Sequence, residues 1–429
     1  MTDLIIIGAG PGGYEMALEA AKRGMTVTLI NDGPLGGVCL NEGCIPTKTF
    51  CHYAGKEEFA AVAERKEAVV SQLRYGVVYL LKNPNITIVE GKASFKEAQT
   101  VVVSGEEYTA KDIIIATGSK PAVLPIPGAG SEIVVTSTDV LNLKELPESI
   151  CVIGGGVIGL EMASYLHRFG VEVTVLEYAP QVLPNYDTEI SKRLKMLLSK
   201  QGIKIETDAQ VIAIDDEGFV TYKKKDKEYN VECDKVLMAV GRTPNTAGLN
   251  LETASIAYNR KGIEVDENMQ TSVPHIYAIG DVNGKMMLAH VATFQGTRAL
   301  NHIQGKADKI KFNLVPAAVF TIPEVASVGL TEAQCDDEEL DFKVCKVPFG
   351  AVGKAVAMGE TDGFCKLIID NEQRTVIGCH IMGSHASDLI QEVVTLMNLN
   401  VTIDDAADMI HAHPTLSEII QIAIHQAKN

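Results

Sequence analysis

The strongest constraint in this sequence is an internal repeat, in which residues 4 to 31 and residues 150 to 177 follow the same pattern 146 positions apart. Each copy has a short apolar run, a glycine-rich turn, a stretch of helical character and a second apolar run. That order is typical of a βαβ unit with parallel strands. The repeat therefore predicts two α/β units in one chain.

Both turns have the glycine spacing of a dinucleotide-binding site. The first glycine permits a tight turn, the second lets the backbone approach a pyrophosphate, and the third lets the helix pack on the strand. The helix N-terminus then attracts the phosphates. One such motif is a weak signal, but two in matching frames favour two dinucleotide sites over a coincidental pair of glycine turns. The predicted binding residues are Gly8, Gly10, Pro11, Gly12 and Gly13 in the first copy and Gly154, Gly156, Val157, Ile158 and Gly159 in the second.

In each copy, the residue 23 positions after the first glycine ends the second strand: Asn31 in one and Glu177 in the other. A carboxylate at this place can accept hydrogen bonds from both ribose hydroxyls and would repel a 2′-phosphate. Glu177 therefore favours NAD over NADP. The alternative is a solvated charge at the end of a strand.

The rest of the chain indicates further strands and a separate C-terminal domain. Several extended runs end in glycine, which brings backbone close to a ligand. From about Phe312 onward alternating strands precede two helical stretches, 386–397 and 415–426, which is typical of an α+β domain. The predicted divisions are an FAD-binding domain in two parts, 1–148 and 266–312, an NAD-binding domain at 149–265, and an interface domain at 313–429.

Length and charge narrow the class of protein. The 429 residues exceed the roughly 150 expected for one domain. A net charge of −17 argues against nucleic acids and anionic membranes, which bind proteins through Lys and Arg. The start has no basic leader, and no apolar run reaches the ~18 to 20 residues of a membrane span. We expect a cytoplasmic protein with neither a membrane nor a nucleic acid as partner.

Two of the nine cysteines, Cys39 and Cys44, stand out. On an ideal helix their Cα atoms would be roughly 8.6 Å apart, beyond the ~7 Å limit for a disulfide, so a bridge requires an irregular entry into the helix. Gly43 and Pro46 suit such an entry. A helix N-terminus and Lys48 would favour the Cys44 thiolate. The alternatives are two inert thiols or half a zinc site, but no partner ligand motif lies nearby and we expect no metal.

Six other cysteines lie singly among apolar or mixed neighbours and are expected to be packing residues: Cys151, Cys233, Cys335, Cys345, Cys365 and Cys379. Two dinucleotide sites beside a reactive cysteine pair suggest a division of labour. Nicotinamide carries hydride, thiols exchange electrons through sulfur, and a flavin can accept from both. We therefore expect FAD at one site and NAD at the other.

At this point the sequence resembles the pyridine-nucleotide disulfide oxidoreductases and, within them, the dihydrolipoamide dehydrogenases. The resemblance runs from about Leu4 to Glu418. Its most specific motifs are GGVCLNEGCIPTK at 36–48, GRTPN at 241–245, IGD at 279–281 and HAHPTLSE at 411–418.

The resemblance implies roles for the residues that match these motifs. Cys39 would exchange with an external dithiol, and Cys44 would face the flavin. Lys48 would lie beside the flavin ring and pair with Glu161. In the same way, Asp281 would hold the FAD ribitol, and His413 would act as the acid/base for Cys39, oriented by Glu418 and contributed by the other subunit of a homodimer.

Without the resemblance, a helix-capping or surface role would be more common for His413. The resemblance also implies cofactor contacts at Asn31, Gly37, Val38, Ala93, Thr117, Gly118 and Ala289 for FAD, and at Val211 and Gly241 for NAD. Asn31 stands where the family usually has an acid. Either an uncharged hydrogen bond or Asp32 would then serve the FAD ribose, with slightly weaker binding.

The activity implied is oxidation of protein-bound dihydrolipoamide with reduction of NAD. The partner would be a lipoyl-bearing protein of a 2-oxoacid dehydrogenase or glycine cleavage complex, and an acidic surface would suit a basic segment on it. Two alternatives are open. One is a glutathione, mercuric or coenzyme A disulfide reductase, and the other is a mainly docking subunit.

Overall fold

The computed structural model describes residues 2–428. The first part of the chain contains eight strands and five helices. The strands are β1 (Thr2–Ile7), β2 (Val27–Asn31), β3 (Ile86–Glu90), β4 (Ala93–Glu97), β5 (Thr100–Val103), β6 (Glu106–Ile115), β7 (Ser119–Pro121) and β8 (Val134–Val135). The helices are α1 (Pro11–Lys22), α2 (Gly37–Glu42), α3 (Cys44–Tyr53), α4 (Phe59–Leu80) and α5 (Ser137–Leu141).

The second part holds the other copy of the repeat and a β-meander. Its strands are β9 (Ser149–Ile153), β10 (Glu172–Leu176), β11 (Lys204–Glu206), β12 (Gln210–Ile214), β13 (Phe219–Lys224), β14 (Lys227–Glu232), β15 (Lys235–Met238) and β16 (Arg242–Pro244). Its helices are α6 (Val157–Arg168) and α7 (Thr188–Gln201).

The chain then forms three short strands and one long helix before the C-terminal domain. These are β17 (Tyr258–Asn259), β18 (Gly262–Ile263), β19 (Ile276–Ala278) and α8 (Ala289–Ile303). The C-terminal strands are β20 (Ala317–Val319), β21 (Glu324–Gly329), β22 (Phe342–Pro348), β23 (Phe364–Asp370) and β24 (Val376–Gly383). The C-terminal helices are α9 (Glu332–Asp337), α10 (Gly353–Met358), α11 (Ala386–Asn398), α12 (Ile403–Ala407) and α13 (Glu418–Lys428).

The two repeats form the centres of two sheets. In the first sheet, β3, β2, β1, β6 and β19 are parallel, and β4 and β5 extend β6 in antiparallel fashion. The second sheet has the order β11-β10-β9-β15-β8 and is parallel throughout. Strands buried on both faces need continuous apolar runs, and Leu4, Ile5 and Ile6 are fully buried accordingly. The predicted pair of dinucleotide-binding α/β folds is confirmed.

The C-terminal sheet is antiparallel, in the order β20-β21-β24-β23-β22. Helices α11 and α13 pack on it through buried residues such as Ile390, Val393, Ile420 and Ile424. The predicted α+β domain is therefore present. One predicted boundary is wrong, because α13 begins at Glu418 rather than Thr415: the Thr415 N–H is bound by the Glu418 carboxylate in a turn before the helix.

A buried lysine joins the second unit to the C-terminal domain. The side chain of Lys366 on β23 is 2% exposed, and its ammonium lies 2.9 Å from Asp187 and 3.0 Å from Glu189, both at the start of α7. Glu332 completes the cluster. A buried charge requires such partners, so these ion pairs fix the position of the C-terminal domain relative to the second unit.

Candidate active site

A disulfide joins Cys39 and Cys44 where two helices meet. Helix α2 ends at Glu42, Gly43 takes φ −144° and ψ −101°, and α3 begins at Cys44. This break brings the two Cα atoms to 4.6 Å, well below the ~8.6 Å of a continuous helix. The irregular entry required by the sequence is present, and it leaves Cys44 at the N-terminus of α3, where thiolate is favoured.

The other cysteines within residues 2–428 are free thiols, and all seven are buried. One of them, Cys51, lies two turns after Cys44 on α3. Burial raises the pKa of the Cys51 thiol, which disfavours a reactive thiolate there. The geometry thus distinguishes Cys39 and Cys44 from the single cysteines predicted to be packing residues.

Lys48 lies one turn after Cys44 and contacts Glu161 of α6. Its Nζ is 2.9 Å and 3.1 Å from the two carboxylate oxygens of Glu161. The Glu161 side chain is 3% exposed, whereas that of Lys48 is 33% exposed. The structure therefore brings together the predicted pair, with the carboxylate buried and the lysine side chain partly exposed.

The two glycine-rich turns have the same construction. Gly8 and Gly154 adopt φ of +106° and +110°, a region that favours glycine. A Cβ on either would overlap a carbonyl oxygen, that of Ala116 or Ala239, at the end of the neighbouring strand. The third glycines, Gly13 and Gly159, lie against the carbonyl oxygens of the first. Helices α1 and α6 begin directly after the turns, at Pro11 and Val157.

The strand-end residues support the turns through their side chains. Asn31 Oδ1 accepts from the Ala9 N–H at 3.0 Å, and Glu177 Oε2 accepts from the Gly155 N–H at 2.6 Å. Their second contacts have opposite sense. Asn31 Nδ2 donates to the Gly33 carbonyl at 2.6 Å, whereas Glu177 Oε1 accepts from the Ala179 N–H at 2.6 Å.

A network of polar contacts joins the segment after β6 to Asp281 and to the segment around β16. Asp281 accepts a hydrogen bond from Ser119 Oγ and lies 3.8 Å from Arg242 Nε. Thr117 Oγ1 donates to the Asn245 carbonyl at 2.7 Å, and Asn245 Nδ2 returns a bond to the Thr117 carbonyl. Sequence reasoning assigned no role to Ser119, although it immediately follows the predicted Thr117-Gly118 pair.

The remaining predicted cofactor residues are placed as follows. Gly37 packs against Gly10, Val38 is 39% exposed, and Ala289 begins α8. Two others are buried: Ala93 in β4, near the end of β3, and Val211 in the meander strand β12.

His413 and Glu418 form a pair near the C-terminal helix. His413 Nδ1 lies 2.9 Å from Glu418 Oε1, and the His413 side chain is 77% exposed. The His413 ring and the Thr415 N–H lower the pKa of the Glu418 carboxyl. Within residues 2–428, no hydrogen bond joins either residue to the disulfide. An exposed, carboxylate-oriented imidazole is thus available to a group outside this chain.

The residues present fit two dinucleotides. A Cβ on Gly37 would clash with the Gly10 backbone, so this position next to the first turn requires glycine. A Cβ on Gly118 or Gly241 would meet no atom of residues 2–428 within 4 Å, which leaves open space beside each turn. These cradles and the disulfide define an α/β oxidoreductase with two nucleotide sites and a dithiol centre. Within the same residues, no helix has both the length and the apolarity to cross a membrane.

Comparisons with known proteins give the family. Residues 2–296 match the model of the pyridine nucleotide-disulphide oxidoreductases, and residues 315–424 match the dimerisation domain of that family. The chain belongs to the pyridine nucleotide-disulphide oxidoreductase family. Members of this family use FAD and NAD(H), and the C-terminal domain is the one through which subunits pair.

Relatives and solved structures agree with this assignment. The chain is 41% identical to the dihydrolipoyl dehydrogenase of Geobacillus stearothermophilus and 42% identical to that of Bacillus subtilis, in each case over 99% of this chain and 96% of the relative. The HOCl-induced flavoprotein disulfide reductase RclA from Escherichia coli superposes with a TM-score of 0.92 at 34% identity. LpdA from Mycobacterium tuberculosis has a TM-score of 0.91 at 26% identity. Both alignments cover 99% of each chain.

Proposed function

We propose that the chain is a dihydrolipoyl dehydrogenase that oxidises protein-bound dihydrolipoamide with NAD. The observation that carries this proposal is the Cys39–Cys44 disulfide across the Gly43 break, at the start of α3. It occurs in a chain 41% to 42% identical to proteins of that name over 99% of its length.

The exchange begins at Cys39. A thiolate of the substrate attacks Cys39 Sγ, the Cys39–Cys44 bond breaks, and Cys44 leaves as a thiolate. Cys44 is the better leaving group because the N-terminus of α3 and the Lys48 ammonium stabilise its negative charge. The second substrate thiolate then attacks the substrate sulfur of the mixed disulfide. Lipoamide closes its ring, Cys39 leaves as a thiolate, and the cysteine pair holds two electrons.

His413 of the partner subunit would take the proton from the first substrate thiol, release it to solvent, and then take the proton from the second. Glu418 occupies Nδ1 of the ring, so Nε2 is left to accept a proton. This arrangement is supported by the exposure of the His413 side chain and by its lack of contact with its own chain's disulfide among residues 2–428.

The chain's residues divide between the two cofactors. FAD would be held by Gly8 to Gly13, Asn31, Gly37, Gly118 and Asp281, and NAD by Gly154 to Gly159, Glu177 and Gly241. When bound, FAD supplies a ring that accepts an electron pair from a thiolate and gives hydride to nicotinamide. Lys48 would lie beside the flavin ring, with its ammonium held by the buried Glu161 carboxylate.

The partner we propose is a lipoyl-bearing protein of a 2-oxoacid dehydrogenase or glycine cleavage complex, with the enzyme acting as a cytoplasmic homodimer. The net charge of −17 favours a basic docking segment on that partner. A mainly docking role, by contrast, would leave the disulfide without a use.

Initial rates with two substrate pairs test this function. Dihydrolipoamide with NAD should turn over at least a hundredfold faster than glutathione disulfide with NADPH. The variant Cys44→Ser should abolish the first reaction, whereas Cys345→Ala, which removes a buried thiol of β22, should retain it. Faster reduction of glutathione disulfide would instead favour a flavoprotein disulfide reductase, as RclA is. Negligible rates beside a stable complex would favour docking.

A further inference from the structure

Phe320 reaches from the C-terminal domain to both members of the Lys48–Glu161 pair. It directly follows β20, and its backbone N–H donates to Glu161 Oε1 at 2.9 Å. The centroid of its ring lies 4.6 Å from Lys48 Nζ. One residue thus contacts the anion through its backbone and the cation through its ring.

Both contacts meet a physical need of the pair. A carboxylate that is 3% exposed requires several donors, and Glu161 obtains them from Lys48 and from the Phe320 N–H. The Lys48 side chain, 33% exposed, is not held by burial. An aromatic face within about 6 Å attracts an ammonium, so the Phe320 ring restrains Lys48.

The segment around Phe320 is itself fixed. Val319 and Thr321 are fully buried, and Thr321 Oγ1 donates to the Pro323 carbonyl at 2.7 Å. Gln201 at the end of α7 donates from Nε2 to the Ile322 carbonyl at 2.9 Å. Phe320 is therefore anchored by the C-terminal sheet on one side and by the NAD-binding unit on the other.

We propose that Phe320 is a positioning residue, through which the dimerisation domain holds in place the ammonium of Lys48, one turn after Cys44 on the same helix. Through Lys48, Phe320 would also affect the flavin midpoint potential. That effect rests on the proposed function, which places Lys48 beside FAD. The contact itself does not, and can be tested on its own.

Amine labelling of the purified full chain tests the contact. Lys48 modification by acetic anhydride, followed by mass spectrometry, is compared with that of Lys92, whose side chain is 85% exposed. Phe320→Leu keeps the backbone N–H and removes the ring, so Lys48 should label about two- to fivefold faster. Phe320→Tyr keeps the ring and should label at the parent rate. An unchanged rate in Phe320→Leu, or an equal rise in Phe320→Tyr, would overturn the proposal.

The flavin midpoint potential tests the consequence without any disulfide substrate. Removing the Lys48 charge in Lys48→Met should make the potential more negative, and Phe320→Leu should shift it in the same direction by less. If Phe320 acts through Lys48, adding Phe320→Leu to Lys48→Met should produce no further shift. An additive shift would contradict this positioning role.

These results separate the two proposals. A chain that fails to oxidise dihydrolipoamide yet shows the labelling difference loses the proposed substrate but keeps the Phe320 contact. A chain that turns over dihydrolipoamide while Phe320→Leu matches the parent in both measurements keeps its function and loses this inference.

Discussion

The two glycine-rich turns are built alike, yet the residues that support them differ. Gly8 and Gly154 have nearly the same φ, and each third glycine packs against the first. Asn31 and Glu177 occupy equivalent places and both accept from the turn's backbone. Only Asn31 also donates, because the chain after β2 presents the Gly33 carbonyl, whereas the chain after β10 presents the Ala179 N–H.

This difference explains why the chain has Asn31 at a position where the family usually has an acidic residue. An acid there would place a carboxylate against a carbonyl oxygen, so the amide suits the local backbone. The same reasoning explains why Glu177 can be an acid. The identity of each strand-end residue thus depends on the turn that follows it as well as on the ribose.

The largest expected effect is at the third glycines, where a methyl group would overlap the carbonyl of the first. Such overpacking costs about 1–3 kcal/mol. Gly13→Ala should yield protein with little FAD, whereas Gly159→Ala should keep FAD and raise the KM for NAD more than tenfold. The ratio of flavin to protein absorbance and NAD saturation curves measure both. Loss of FAD in Gly159→Ala with NAD binding intact would reverse the assignment of the two sites.

Glu177→Gln removes the charge from the second site and leaves the shape. Hydrogen bonds to charged groups contribute about 1.5–3 kcal/mol, so the KM for NAD should rise roughly tenfold or more. Glu172→Gln, at the exposed other end of β10, serves as the matched control and should not change it. Equal KM values for Glu177→Gln and the parent would show that Glu177 is a solvated charge.

Asn31→Asp makes the first site resemble the second. Its carboxylate cannot donate to the Gly33 carbonyl, and losing one hydrogen bond costs about 1 kcal/mol. The Kd for FAD, measured by fluorescence quenching with the apoprotein, should rise about fivefold. Tighter FAD binding would show that a hydrogen bond from the ribose to the carboxylate contributes more than the bond from Asn31 to the Gly33 carbonyl.

Asp32→Ala should have the smallest effect. Asp32 is exposed and lies 3.7 Å from Lys92, and exposed ion pairs of this kind contribute about 0–1 kcal/mol. The Kd for FAD should stay within about twofold of the parent. A tenfold loss would mean that Asp32 serves the FAD ribose in place of the usual acid.

The sequence predicted the features that depend on local spacing. The repeat, the turn glycines and the break at Gly43 follow from residues close together in the chain, whose conformations are limited by backbone sterics. The Lys48–Glu161 pair came from the family resemblance, since 113 positions separate the two residues.

Contacts that depend on how domains pack were not predictable in this way. No local pattern predicts that Phe320 contacts Glu161, 159 positions away, or that Lys366 contacts Asp187, 179 positions away. The start of α13 was missed because Thr415 lies in the turn before the helix, where its N–H is bound by the Glu418 carboxylate, and the helix begins three residues later. The second contact of Asn31 was also hidden, because it depends on the direction of one carbonyl.

Mapping which cysteines dihydrolipoamide reduces is the most direct test of the proposed function. The oxidised protein is mixed anaerobically with one equivalent of dihydrolipoamide, without NAD, and alkylated, and each cysteine is then quantified by mass spectrometry. Labelling should appear at Cys39 and Cys44 only after dihydrolipoamide is added, with Cys39 labelled faster. The seven buried thiols should stay unlabelled. If dihydrolipoamide does not reduce the Cys39–Cys44 disulfide, while NADH does and the reduced pair then reduces a smaller disulfide substrate, the chain is not a dihydrolipoyl dehydrogenase.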